Sequence, residues 1–188
     1  MVRNSLLDSF RSVFFSFDYD DVLKAMNIRN SNQFTGVKKS GFRDKAEFEQ
    51  VKRSGDQAIK NWIRRQMSGC SVTVVLIGDN TYQSDWVNFE IKESIDTKMG
   101  LVGIYLHEFR FGLLDNSSYT QPINPLYMHT MPTTLASIAN GREQSAGERY
   151  NSYTWKPAPK NALMAAFNQN RLGDWVEEAY QISQRPFG

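Results

Sequence analysis

The stretch VTVVLIGDNTYQSDWVNFEIKESIDTKMGLVGIYL, residues 72–106, holds the pattern that decides the fold. It opens with the apolar run Val72 to Ile77 and closes with another, Leu101 to Leu106, both short and rich in Val, Ile and Leu. Runs of this length and composition, bounded by Gly, Asp or Ser, read as buried strands. Between them Val87, Ile91 and Ile95 recur every four residues, the spacing of an apolar stripe on a helix. Ser84 stands where an N-cap belongs, Asp85 favours the first turn electrostatically, and Gly100 stands where the helix should stop. Strand, helix, strand with nearly continuous hydrophobic strands implies parallel pairing, helices on both faces and right-handed crossovers.

Outward from this unit, Val13 to Phe17 reads as another buried strand, and Phe48, Val51, Ile59, Trp62 and Ile63 as the apolar face of one amphipathic helix. A further strand is placed loosely within Arg29 to Arg43, where Phe34 and Val37 are interrupted by Gly36 and Lys38. Beyond His107 the chain turns to Gly, Pro, Ser, Asn and Thr, with prolines at 122, 125 and 132. Glu148 to Trp155 reads as a late edge strand and Asp174 to Ser183 as a terminal helix. The segment 108–160 is too long for an ordinary connection and is expected to cover one edge of the sheet. The fold class is α/β with a flavodoxin-like parallel sheet, helices on both faces and a C-terminal elaboration, all in a single domain spanning 1–188.

Composition narrows the function classes. With 40% apolar residues among 188, the chain can fill a core, which argues against disorder. Twenty-two Lys and Arg against twenty Asp and Glu leave a net charge of +2, too small for a nucleic-acid binder reading phosphates. Cys70 stands alone, and with His107 and His129 far apart there is no zinc spacing, so no metal is expected. The first residues do not read as an export signal, because Asp8 and Arg11 interrupt Leu6, Leu7 and the Val13 run. No apolar stretch approaches the roughly 20 residues of a membrane span, so the cytoplasm is the expected compartment.

In open α/β sheets ligands bind outside the carboxyl ends of the strands, where strand order reverses. Phe17-Asp18-Tyr19-Asp20-Asp21 and Gly78-Asp79-Asn80-Thr81-Tyr82-Gln83 fall there, and would line one cleft if their strands are neighbours. Trp86 and Glu90 lie four residues apart on one helical face beside the core stripe. On pattern alone Glu90 reads either as a catalytic carboxylate or as a solvated flank, and Trp86 as a site aromatic or as packing. Asp18, Asp20 and Asp21 read as helix-start charges before a metal site. His107 reads as structural, and Lys38, Lys39 and Arg43 as phosphate contacts or solvated loop residues. Phosphate-loop, G-x-G-x-x-G, G-x-S-x-G and H-E-x-x-H patterns are absent from the sequence.

Three blocks in order carry a family resemblance: Val13-Phe14-Phe15-Ser16-Phe17 with Tyr19 and Asp21-Val22; Ser71 to Gly78; and Trp86-Val87-x-x-Glu90-Ile91-x-x-Ser94-Ile95. Leu101 to Phe109 continues them, and Asp174-Trp175-Val176 looks like the closing helix. The chain resembles the TIR-like ThsB family of bacterial Thoeris anti-phage defence, well over residues 11–109 and loosely beyond. That resemblance implies cleavage of NAD between nicotinamide and ribose, with release of a cyclic ADP-ribose isomer or linear ADP-ribose. It also implies Glu90 as the catalytic glutamate, with Phe17, Asp18, Tyr19 and Trp86 bordering the substrate. NAD is then substrate and no cofactor is needed. The partners it implies are a phage component as trigger, a downstream effector reached through the small-molecule signal, and further copies of the chain.

Three rivals stay open at this point. One is a non-catalytic TIR-like interaction module. Another is a nucleoside deoxyribosyltransferase-like enzyme with a glutamate nucleophile. The third is a receiver-like phosphoacceptor using Asp20 or Asp21 for magnesium and Asp79 as acceptor, disfavoured because His107 rather than a lysine closes the last strand.

Overall fold

The computed structural model describes residues 11–30, 37–39, 45–108, 121–156 and 171–186. Phe34, Gly36, Arg43, and the parts of the elaboration at 109–120 and 157–170 lie outside the described residues. The strands are β1 (Arg11–Phe17), β2 (Val37–Lys39), β3 (Val72–Ile77), β4 (Gly100–Tyr105) and β5 (Ser152–Thr154). They form one sheet in the order β2-β1-β3-β4-β5, every neighbouring pair parallel. This is the flavodoxin-like order, with its switch point between β1 and β3.

Central strands in such a sheet are covered on both sides, and all six residues of both β3 and β4 are buried. Alternation along the strands divides the core in two. Val13, Phe15 and Phe17 of β1 join Val72, Val74 and Leu76 of β3 on one face, beneath α1 (Val22–Asn30) and the C-terminal helix. Val75 and Ile77 face the other way, toward Val87, Ile91 and Ile95 of α4 (Asp85–Asp96). Phe14 joins Phe48, Ile59, Trp62 and Ile63 on α4's side of the sheet.

Four expectations are adjusted. The Phe48 to Ile63 stripe belongs to two helices, α2 (Lys45–Lys52) and α3 (Asp56–Met67), broken at Gly55, whose φ of 87° few side chains tolerate. Ser84 is the N-cap of α4, but its hydroxyl makes no capping bond. That helix ends at Asp96 rather than running to Gly100; Lys98 takes the left-handed turn at φ 59°, and Gly100 already begins β4. The late edge strand shrinks to Ser152–Thr154, because Ala146–Arg149 form a helical turn. Ser145 and Glu148 make a reciprocal capping box there, and this satisfies the first amides and favours the helix over an extended chain.

The described part of the elaboration supplies the crossover to β5. It comprises a 3-10 turn at Pro125–Met128, α5 (Leu135–Asn140) and α6 (Ala146–Arg149), and it buries Leu126, Met131, Ala146 and Tyr150 against the α4 layer. The final helix, α7 (Leu172–Ser183), covers the opposite face. It is tied to β5 by Tyr153 stacked on Trp175 at 4.4 Å, and to β1 by an ion pair from Arg11 to Glu177 at 2.8 Å. Among the described residues no helix is long and apolar enough to cross a membrane.

Candidate functional site

Two loops meet at the switch point. After β1 the chain makes a 3-10 turn at Tyr19–Asp21, with Asp18 as its N-cap accepting from the Asp20 amide at 3.1 Å. After β3 it makes another at Thr81–Gln83, where the Thr81 hydroxyl accepts from the Gly78 amide at 2.9 Å and donates to the Leu76 carbonyl. Asn80 Nδ2 donates to Asp20 Oδ2 at 3.2 Å, joining the two loops. Asp21 lies so close to Gly78 that a Cβ there would fall 1.8 Å from its carboxylate. Burial pushes the Asp21 carboxyl above its ordinary range, against the opposing pull of Lys24, whose ammonium is 3.1 Å away. Asp20 and Asp21 thus engage Asn80 and Lys24, and no group of three or more metal-ligating residues occurs among the described residues.

Glu90 sits on the second turn of α4, facing the sheet with no exposed surface. Ser16 of β1, equally buried, donates its hydroxyl to Glu90 Oε2 at 2.6 Å, a length typical of a hydroxyl held by a carboxylate. One turn further along, Ser94 Oγ donates to the Glu90 carbonyl at 2.7 Å and meets Thr73 Oγ1 of β3 at 2.7 Å. The carboxylate is therefore fixed from β1 and its backbone from β3.

The residues expected to border a substrate divide between the two faces. Tyr19 and Trp86 are both half-buried, and they are linked by Phe48 of α2, which stacks on Tyr19 at 6.5 Å and meets Trp86 edge-on at 6.2 Å. Asp18 stays at the mouth of the β1 loop as a cap. Phe17 is different. Its ring is fully buried in the layer beneath α1 and α7, opposite Glu90, so any share it has in the site comes through its backbone. His107 follows β4 and packs edge-on against Tyr105 at 5.9 Å. A hollow of about 490 Å³ in the elaboration, lined by Ser137, Arg142, Glu148 and Arg149 among others, shares no residue with this constellation.

A family model for the Thoeris protein ThsB, TIR-like domain, matches residues 14–110, just over half of the chain. The chain belongs to the ThsB TIR-like family. A relative from Bacillus cereus (strain MSX-D12), named "Putative cyclic ADP-D-ribose synthase ThsB1", is 35% identical over 103 residues, 53% of this chain and 54% of the relative. The chain thus spans about half the length of this curated relative. The ThsB match contains Ser16, both switch-point loops, Phe48 and Glu90, and it stops before the crossover to β5.

Sequence reasoning missed Ser16, Thr73, Ser94 and Phe48 as parts of this site. The first two carried a signal: each is the polar residue inside an otherwise apolar buried strand, and a buried hydroxyl requires a partner. Phe48 looked like any other member of a helical stripe.

Proposed function

We propose that this ThsB-family chain is a phage-responsive enzyme that cleaves NAD at the nicotinamide–ribose bond and makes a cyclic ADP-ribose-type signal for a partner effector. The observation that carries this reading is Glu90, an acidic side chain held inside the fold at the switch point by a 2.6 Å bond from Ser16. The name borne by the Bacillus relative adds support for the product class.

One carboxylate is enough for this chemistry. As the bond between ribose C1′ and the pyridinium nitrogen breaks, its electron pair returns to the nitrogen and nicotinamide departs neutral. The leaving group needs no proton, unlike the oxygen released in ordinary glycoside hydrolysis. What needs stabilising is the positive, oxocarbenium-like C1′, and an ionised Glu90 beside it supplies the opposite charge in a low-dielectric site. The Ser16 hydroxyl holds one oxygen of that carboxylate at 2.6 Å. A hydroxyl of the same ADP-ribose then forms the new bond to C1′ and loses its proton to solvent, giving the cyclic product; water in its place gives ADP-ribose. Closure is favoured where the folded intermediate is shielded from water.

Because Glu90 exposes no surface, the ribose reaches it only after a covering group moves. That accords with an enzyme held idle until a phage component releases it. The same burial, together with the packing of Trp86 on Phe48, favours a second reading as a non-catalytic interaction module. Incubation with NAD, with and without lysate of phage-infected cells, separates the two. Nicotinamide and a cyclic product detected by mass spectrometry, and lost in Glu90→Gln, are the expected result. Unchanged NAD under both conditions would favour the module.

A further inference from the structure

We infer that Ser16 is a positioning residue for the Glu90 carboxylate, an inference that rests on the NAD-cleaving function proposed above. Ser16 is the polar member of Val13-Phe14-Phe15-Ser16-Phe17, a strand whose alternation sends Phe15 and Phe17 to one face and leaves Phe14 and Ser16 for the α4 side. A hydroxyl on a fully buried strand position is unfavourable unless bonded, and here it is bonded to one oxygen of the glutamate at 2.6 Å.

Two clamps of different kind join α4 to the sheet. Thr73 on β3 meets Ser94, which bonds the Glu90 carbonyl, so this pair locates the helix backbone. Ser16 on β1 engages the carboxylate itself, at Oε2, and so acts on the direction in which the side chain faces. Loss of that bond removes a fixed direction for the carboxylate, and a reacting group displaced by about 1 Å loses on the order of 10² in rate. Ser16 sits on a central strand of the sheet, neighbour to β2 and β3, and so offers the carboxylate a fixed reference.

The test uses the full chain purified from phage-infected cells, with nicotinamide release from NAD measured for wild type, Glu90→Gln, Ser16→Ala, Ser16→Cys and Trp175→Ala. Ser16→Ala should lower kcat roughly 10- to 100-fold with KM within about 3-fold, because the carboxylate is misdirected while substrate binding is intact. Ser16→Cys, nearly isosteric and a weaker donor, should recover part of that loss, and it keeps the test open if the alanine variant does not fold. Trp175→Ala, which removes the stack on Tyr153 in the α7 layer, should lower the thermal midpoint yet hold kcat within about 3-fold of wild type. Wild-type kcat in Ser16→Ala, or an equal loss in Trp175→Ala, would overturn the positioning role. Wild-type turnover in Glu90→Gln would instead overturn the proposed function itself.

Discussion

His129 Nε2 lies 2.9 Å from Asn88 Oδ1, so the segment that crosses to β5 is fastened to the helix carrying Glu90. Asn88 Nδ2 donates to the Tyr82 carbonyl at 3.0 Å, which turns its oxygen toward the imidazole and makes Nε2 the donor. Burial, and secondarily the charge of Lys92, hold the His129 pKa below its ordinary 6.5. The unfolded chain therefore takes up this proton at higher pH than the native one. The contribution of His129 is fully present above pH 6.5 and is lost as pH falls from there through the lowered native value. Urea midpoints of wild type should drop between pH 7.5 and about 5.5, and a His129→Gln variant should show a shallower fall. Parallel curves for the two proteins would remove His129 from this dependence.

Glu90→Gln should separate stability from turnover. Its carboxylate is desolvated within the core, and a glutamine of nearly the same shape can accept from Ser16 without a buried charge. Thermal unfolding of Glu90→Gln should match wild type or rise by a few degrees, corresponding to about 1 kcal/mol. Nicotinamide release should fall by a factor on the order of 10² or more. A variant that loses both together would point to a structural role for the glutamate.

Phe48 is the hub of the aromatic group beside the switch point: it touches Tyr19, Trp86 and, at 5.9 Å, Trp62. Its ring is 6% exposed, so Phe48→Ala removes a buried aromatic and leaves a cavity among three others. We expect a loss of about 3–5 kcal/mol. Because Trp86 would lose its edge-on neighbour, acrylamide should quench tryptophan emission more strongly in the variant under native conditions. Unchanged quenching would show that α3 and α4 close over the gap.

The parts of this molecule that were readable in the sequence are those where burial on both faces leaves a continuous apolar signature. Val72 to Ile77 and Leu101 to Tyr105 are such strands, and the α4 stripe of Val87, Ile91 and Ile95 is as clear. β2 leaves only a loose signal because it is three residues long, Val37–Lys39, two of them lysines. The break at Gly55 is hidden in the sequence because apolar spacing continues across it from Phe48 and Val51 to Ile59 and Trp62. Glu90 was legible as a candidate from its helical position beside Trp86, but its partner lies 74 residues away on another element. Spacing rules describe neighbours along one helix or strand. They carry no information on which strand residue faces which helix residue, and the Ser16–Glu90 contact is of that kind.

Gly100 tests the other face of the sheet. A Cβ on it would stand 2.6 Å from the carbonyl oxygen and 2.7 Å from the carbonyl carbon of Ala179, both backbone atoms of α7. No side-chain rotation relieves such a clash, so the helix itself must shift, disturbing Val176 and Ala179 against Val102 and Ile104. Gly100→Ala should cost about 1–3 kcal/mol by overpacking, partly offset by about 0.4–1 kcal/mol from a stiffer unfolded chain. The thermal midpoint should fall by several degrees in consequence. Since α7 and α4 cover opposite faces, nicotinamide release measured well below that midpoint should remain within about 3-fold of wild type. A loss of turnover as large as that of Ser16→Ala, with the fold intact, would mean that the α7 layer communicates with Glu90 through β4 and β3.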